Sequence, residues 1–179
     1  VMPEAVRVWC GEIDQAADRW GLDPRALAIL VGIESAGNPE AVSSAGAAGL
    51  AQLMPGTAEM MAAATGLPCG SKAAGVNLDP ATNLACGARY LVDGMRAAAE
   101  VWRAGDEAQH LGAAGIGYHD GHGVLPRVVA HWRAGGHVCE ARVSEYGRLW
   151  CRQMVDGWQL LTASPAPLDA TLGVAWRPR

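Results

Sequence analysis

Glu34 is the residue whose type and place could do chemistry. It continues the apolar face of Leu27, Leu30 and Val31 at the next step of three, where a helix is about to end. Asp23-Pro24 supplies the helix start, an N-cap followed by the residue that tolerates the first helical position, and Gly37 with Pro39 supplies the stop. Burial disfavours a charged carboxylate, and the negative end of a helix dipole disfavours it further. Both effects raise the pKa of Glu34 toward the neutral range, as a general acid requires. The same position also suits a solvated glutamate at a helix end.

The segment after Glu34 reads as a shaped loop. Residues 34 to 58 are ESAGNPEAVSSAGAAGLAQLMPGTA, too rich in glycine and proline for an uninterrupted helix or strand. Gly46 and Gly49 allow close backbone approach to a ligand or serve only a tight connection, and Pro55 opens the next helix. Glu40 is the one further carboxylate of this loop and sits in an exposed Pro-Glu-Ala turn.

Periodicity of 3.6 predicts helices nearly everywhere else. Val6, Cys10, Ile13, Ala17 and Trp20 form one stripe between Pro3 and Gly21. Leu84, Ala88, Leu91, Met95, Ala98 and Trp102 form another, opened by Asp79-Pro80. Asp106 caps a third helix that carries Leu111 and delivers Tyr118. Val124, Val128, Val129 and Trp132 stripe a fourth that stops at Gly135-Gly136. A last stripe runs Val143, Tyr146, Trp150, Met154, Trp158 and Leu161, and from Thr162 small residues and prolines replace the pattern. No stretch sustains a period of two, so the fold class is all-α, with at most a minimal β element.

The chain has 179 residues, within the size of one domain, and half of them are hydrophobic without any run long enough for a membrane span. A net charge of −4 and the lack of a lysine-arginine cluster argue against a nucleic-acid partner. With no phenylalanine and seven tryptophans, tryptophan supplies the large aromatic core contacts, or in one or two places lines a cleft. The five cysteines leave at least one unpaired, and a Cys69–Cys86 bridge would pin a loop in an oxidising compartment. No C-x-x-C spacing suggests zinc, and the H-x-x-H of His119 and His122 lacks a third ligand, so no metal is expected. No signal peptide opens the chain, and Val1 before Met2 has the look of a trimmed or tagged end.

The run E-S-x-x-N-P-x-A-V-S-S-x-G-A-x-G-L-x-Q-L-M-P-x-T-A resembles, without a gap, the signature of the soluble lytic transglycosylase family. Residues 77 to 91, NLDPATNLACGARYL, resemble that family's second element, and Tyr118 to Gly121, YHDG, stand where its Y-N-A-G falls. Glu140-Ala141-Arg142 faintly echoes its E-T-R, with the following tyrosine displaced to Tyr146. The resemblance implies a lysozyme-like, goose-type domain over residues 1–161, with residues 162–179 as a tail or linker. It implies a monomer acting on peptidoglycan glycan strands, outside the cytoplasmic membrane or carried by a phage, without a cofactor.

The implied reaction breaks the β-1,4 bond between N-acetylmuramic acid and N-acetylglucosamine and leaves 1,6-anhydro ends. Glu34 would protonate the leaving oxygen and then, as a carboxylate, take the proton of the sugar's own C6 hydroxyl. A sugar hydrolase normally uses two carboxylates, and the loop after Glu34 offers only Glu40. By position, Ser43 would hold the N-acetyl group, Gln52 and Met54 would line the cleft, and Tyr118 would bond the catalytic carboxyl. Ala51 stands for the family's methionine in G-L-M-Q and widens that wall. His119 and Asp120 replace its asparagine and alanine; His119, also a substrate-binding candidate, adds a titratable group near Glu34 that would make activity depend on pH in the histidine range, and Asp120 is either a second carboxylate or a turn residue before Gly121. A goose-type lysozyme that uses water, or a weakly catalytic glycan-binding module of a phage particle or secretion apparatus, are the alternatives.

Overall fold

The computed structural model describes residues 3–70, 76, 78–101, 103, 105–141 and 143–163. Among them the backbone is helical, and the β content is two isolated bridges, Val42 with Ala48 and Ala48 with Leu53. The chain divides into two compact units, one running to Arg89 and the other covering Tyr90–Ala163. The first holds α1 (Glu4–Arg7), α2 (Cys10–Trp20), α3 (Pro24–Glu34), α4 (Pro55–Thr65) and the start of α5 (Pro80–Val101). The second holds the rest of α5, then α6 (Glu107–Asp120), α7 (Leu125–Arg133) and α8 (Glu145–Ala163), with 3-10 turns at His122–Val124 and Val138–Glu140.

In the first unit the expected opening helix is broken in two. Val6 and Ile13 keep their places in the core, but Trp9 leaves the helical path at φ −99° and ψ 8°. Its indole N–H donates to the Gly37 carbonyl at 2.9 Å, a tertiary contact that overrides the periodic pattern. Helix α3 follows its sequence signals closely. Asp23 accepts the Arg25 amide at 2.8 Å with Pro24 at the first helical position, and Leu27, Leu30 and Val31 are fully buried. The helix ends at Glu34, where the amide and hydroxyl of Ser35 both turn back to the Val31 carbonyl, at 3.1 and 3.2 Å. Trp20 fixes α2 to α5 by donating to the Ala85 carbonyl at 2.7 Å, with the Arg19 and Arg89 guanidinium groups over its ring.

The second unit is built on the packing of α6 along α8. Asp106 and Gln109 form a capping box, each side chain accepting the other's backbone N–H, at 2.8 and 2.9 Å. Gly115 lets the helices approach: a Cβ there would lie 3.0 Å from Met154 Cγ. Val124, Val128, Val129 and Trp132 all join Ile116 and Leu125 in one buried cluster. Burial on this scale stabilises by about 1.5–3 kcal/mol per large apolar side chain. Trp150, Met154 and Trp158 line the buried side of α8 as expected, but Tyr146 does not continue inward and is 68 % exposed. The first turn of α8 instead turns Gly147 inward, where a Cβ would lie 2.8 Å from Asp120 Oδ2, and leaves Tyr146 beside it in solvent. The helix also carries on through Thr162 to Ala163; the remainder of the expected tail lies outside the described residues, as do Trp102 and the side chain of Leu161.

Two disulfides are present, one in each unit. Cys69 pairs with Cys86 as the spacing suggested, and Cys139 pairs with Cys151, leaving Cys10 as the free thiol. The second pair was not singled out in the sequence, because a 3-10 turn and not a loop brings Cys139 against α8. No described helix is long and apolar enough to cross a membrane.

Candidate active site

Glu34 ends α3 in a partly buried position, and burial pushes its carboxyl up to about 8. At neutral pH the group is therefore mostly protonated, an acid held ready at the rim of a loop. That loop, residues 35 to 54, is made of turns and the two bridges around Ala48. Glu40 within it is exposed, in keeping with the sequence reading.

The loop is held from below by Asn83, a fully buried polar side chain on α5. Its Oδ1 accepts the Ala51 amide at 2.8 Å, and its Nδ2 donates to the Ala48 carbonyl at 3.1 Å. Gly49, at φ +81°, packs on that amide so closely that a Cβ would lie 2.5 Å from Nδ2. Close backbone approach at Gly49 is thus to Asn83, the tight connection of the two readings; at Gly46 the space about a Cβ is open. Asn83 escaped the sequence reading as a loop holder. Its signal was a lone amide in the first turn of an apolar-striped helix.

Ser43, Gln52 and Met54 all lie on this loop in the first unit. The Ser43 oxygen accepts the Ala47 amide at 3.0 Å, which leaves the hydroxyl hydrogen available to donate elsewhere. Gln52 sits at φ +44° and spends its amide N–H groups on the Ala41 and Gly49 carbonyls, at 2.8 and 3.0 Å. It closes the loop on itself, and its Oε1 remains an acceptor. Met54 is the N-cap of α4 and 42 % exposed, an apolar side chain offered to solvent.

Tyr118, His119 and Asp120 form the last turn of α6 in the second unit. Tyr118 is 9 % exposed, its ring stacked on Trp150 at 5.7 Å between centroids and tilted against Tyr90 at 5.0 Å. Tyr90 stacks in turn on His122 at 4.2 Å. Burial holds the His122 imidazole below its usual range, with Asp93 pulling the other way. The two histidines of the H-x-x-H pair therefore have separate surroundings, for His119 instead bonds Asp120 Oδ1 through Nδ1 at 2.8 Å.

Asp120 is neither an open second carboxylate nor a simple turn residue. Its oxygens accept the Ser144 amide at 2.9 Å and the Ser144 hydroxyl at 2.6 Å, clasping the end of α6 to the start of α8. Burial alone would raise its pKa, but the hydrogen bonds from Ser144 and His119 outweigh it and hold the carboxyl below the usual range. The sequence signal missed here was Ser144, an N-cap letter just before the last helix.

The described helices, with a proton-holding carboxyl at the end of α3 followed by a braced loop, have the fold of the lysozyme-like transglycosylases. The 70 kDa soluble lytic transglycosylase of Escherichia coli superposes with a TM-score of 0.68 at 21 % identity, over 86 % of this chain and 24 % of its own. An inactive mutant of lytic transglycosylase Slt from Pseudomonas aeruginosa gives 0.61 at 23 % identity, over 88 % and 25 %. The model of the Transglycosylase SLT domain matches residues 11–134, and the chain belongs to that family. Its curated relatives include the endo-type membrane-bound lytic murein transglycosylase A of Klebsiella pneumoniae, 45 % identical over 49 residues. Another is a transglycosylase of Enterobacteria phage PRD1, 47 % identical over 53 residues. These matches cover 27 % and 30 % of this chain, and only 24 % and 20 % of the two relatives.

Proposed function

We propose that the chain is a peptidoglycan lytic transglycosylase in which Glu34 serves as acid and then as base. The observation that carries this reading is the carboxyl of Glu34, pushed up to about 8 at the end of α3 and followed at once by the family's loop. Protonated, it gives its hydrogen to the glycosidic oxygen between N-acetylmuramic acid and N-acetylglucosamine. Ionised, it takes the proton of the muramic C6 hydroxyl as that oxygen closes on the anomeric carbon, forming the 1,6-anhydro ring. One proton leaves Glu34 and one returns, so the step consumes no water. The family relationship supports this over hydrolysis, and so do the surroundings of the two candidate partner carboxylates: Glu40 is exposed on the loop, and Asp120, on α6, is taken up by Ser144 and His119.

Ser43 is assigned the N-acetyl group of the substrate, through the hydrogen its oxygen keeps after accepting from Ala47. Gln52 contributes an acceptor oxygen and Met54 an apolar wall, while Tyr118 keeps the role the resemblance implies. The protein would act as a monomer on glycan strands outside the cytoplasmic membrane, or as part of a phage. Glu34→Gln tests the assignment: turbidity clearing of a cell-wall suspension is expected to fall about a thousandfold. Far-UV circular dichroism should stay unchanged. A variant that clears as fast as the parent removes Glu34 from the chemistry.

A further inference from the structure

We propose that Tyr146 and His119 form an aromatic platform that receives one pyranose ring of the glycan strand, a subsite built wholly within the second unit. The proposal rests on the reading of the chain as a peptidoglycan-acting protein and gives a binding role to Tyr146, the tyrosine displaced from the E-T-R element, beside the His119 that departs from Y-N-A-G. Tyr146 lies in the first turn of α8 with 68 % of its surface in solvent, although its place in the helical stripe would put it beside Trp150. It is one of only three tyrosines in a chain without phenylalanine. Its ring pairs with that of His119 at 5.8 Å between centroids and 21° between planes.

The pair is held in place. Asp120, bonded to both the amide and hydroxyl of Ser144, accepts from His119 Nδ1, so the imidazole is fixed against the start of the helix that carries Tyr146. An ionised carboxylate only accepts, which puts an imidazole hydrogen on Nδ1 and turns Nε2 to other partners. The result is two nearly parallel rings that carry two polar atoms, Nε2 of His119 and the Tyr146 hydroxyl. A β-linked N-acetylhexosamine has the complementary surface: axial C–H groups make one face apolar, while hydroxyl and N-acetyl groups ring its edge. Because the rings are already oriented, binding forfeits little side-chain freedom. Continuity in the chain selects the sugar as occupant, since His119 follows Tyr118 directly within the YHDG stretch.

The test uses tetra-N-acetylchitotetraose and calorimetry in the Glu34→Gln background, where no turnover interferes. Tyr146→Ala is expected to weaken binding about tenfold, while Tyr146→Phe, which keeps the ring, stays close to the parent. In the protein with Glu34 intact, Tyr146→Ala should raise KM for peptidoglycan more than it lowers kcat. Equal affinities for the parent, Ala and Phe variants, in a protein that still cleaves peptidoglycan, overturn the platform and leave the activity standing. Equal losses in Ala and Phe assign the effect to the hydroxyl and likewise overturn stacking. A parent protein that neither binds nor cleaves glycan overturns both readings together.

Discussion

A carboxyl that must give up a proton near neutrality and then take one back needs a pKa close to the pH at which it works. Glu34 meets that need through burial, which pushes it up to about 8. Two consequences follow for pH. In the role proposed for Glu34 the first step requires the protonated form, so kcat/KM should fall as pH rises through about 8, and a pH–rate profile without that limb would speak against Glu34 as the acid. Stability runs the same way. Between about 4.5 and about 8 the folded protein keeps the Glu34 proton that the unfolded chain has lost, so stability is fully present below the window and declines upward through it. The decline is of order a few kcal/mol. Glu34→Gln has no such proton to lose and should exceed the parent in chemical denaturation at pH 9, with the advantage gone at pH 4. Position and neighbours made Glu34 legible in the sequence: an N-cap, an apolar face and a stop are local signals. The engagement of Asp120 was not legible, because Ser144 meets it across 24 residues of chain.

At the scale of elements, the loop after α3 depends on one amide from α5. Removing the Asn83 side chain would take a buried hydrogen-bond partner from the Ala51 N–H and from the Ala48 C=O, which keeps the Leu53 N–H at 3.1 Å, a loss of about 1–3 kcal/mol. Asn83→Ala is therefore expected to lower the denaturation midpoint and to reduce clearing of cell walls through the loop, even though Asn83 stands below it. Gly49→Ala should do the same, since its Cβ would strike the Asn83 amide and its backbone lies at φ +81°. Either variant with parental stability and parental activity would show that the loop has other support. Helices were readable because capping residues and apolar periodicity are written within a few positions of one another. The break at Trp9 was hidden for the opposite reason, its cause being the Gly37 carbonyl 28 residues away.

At the scale of the molecule, each unit carries its own covalent tie. Cys69–Cys86 closes a separation of 17 residues and Cys139–Cys151 one of 12, and each is worth about 3 kcal/mol on loop-closure grounds. Reduction should therefore lower the melting temperature. Thiol counting should find one reactive group in the unfolded, unreduced protein and five after reduction; five before reduction would refute both bridges. The disulfides agree with a protein that works in an oxidising compartment, where peptidoglycan lies. The all-helical class and the family were legible from motif and period, while the division into units depends on long-range packing that no local pattern records.

In the proposed reaction Glu34 acts with the sugar's own hydroxyl and not with water. Mass spectrometry of peptidoglycan digested by the protein tests it most directly. Muropeptides ending in 1,6-anhydro-muramic acid, one water lighter than reducing ends and missing from the Glu34→Gln digest, are the expected result. Reducing ends alone would contradict the account.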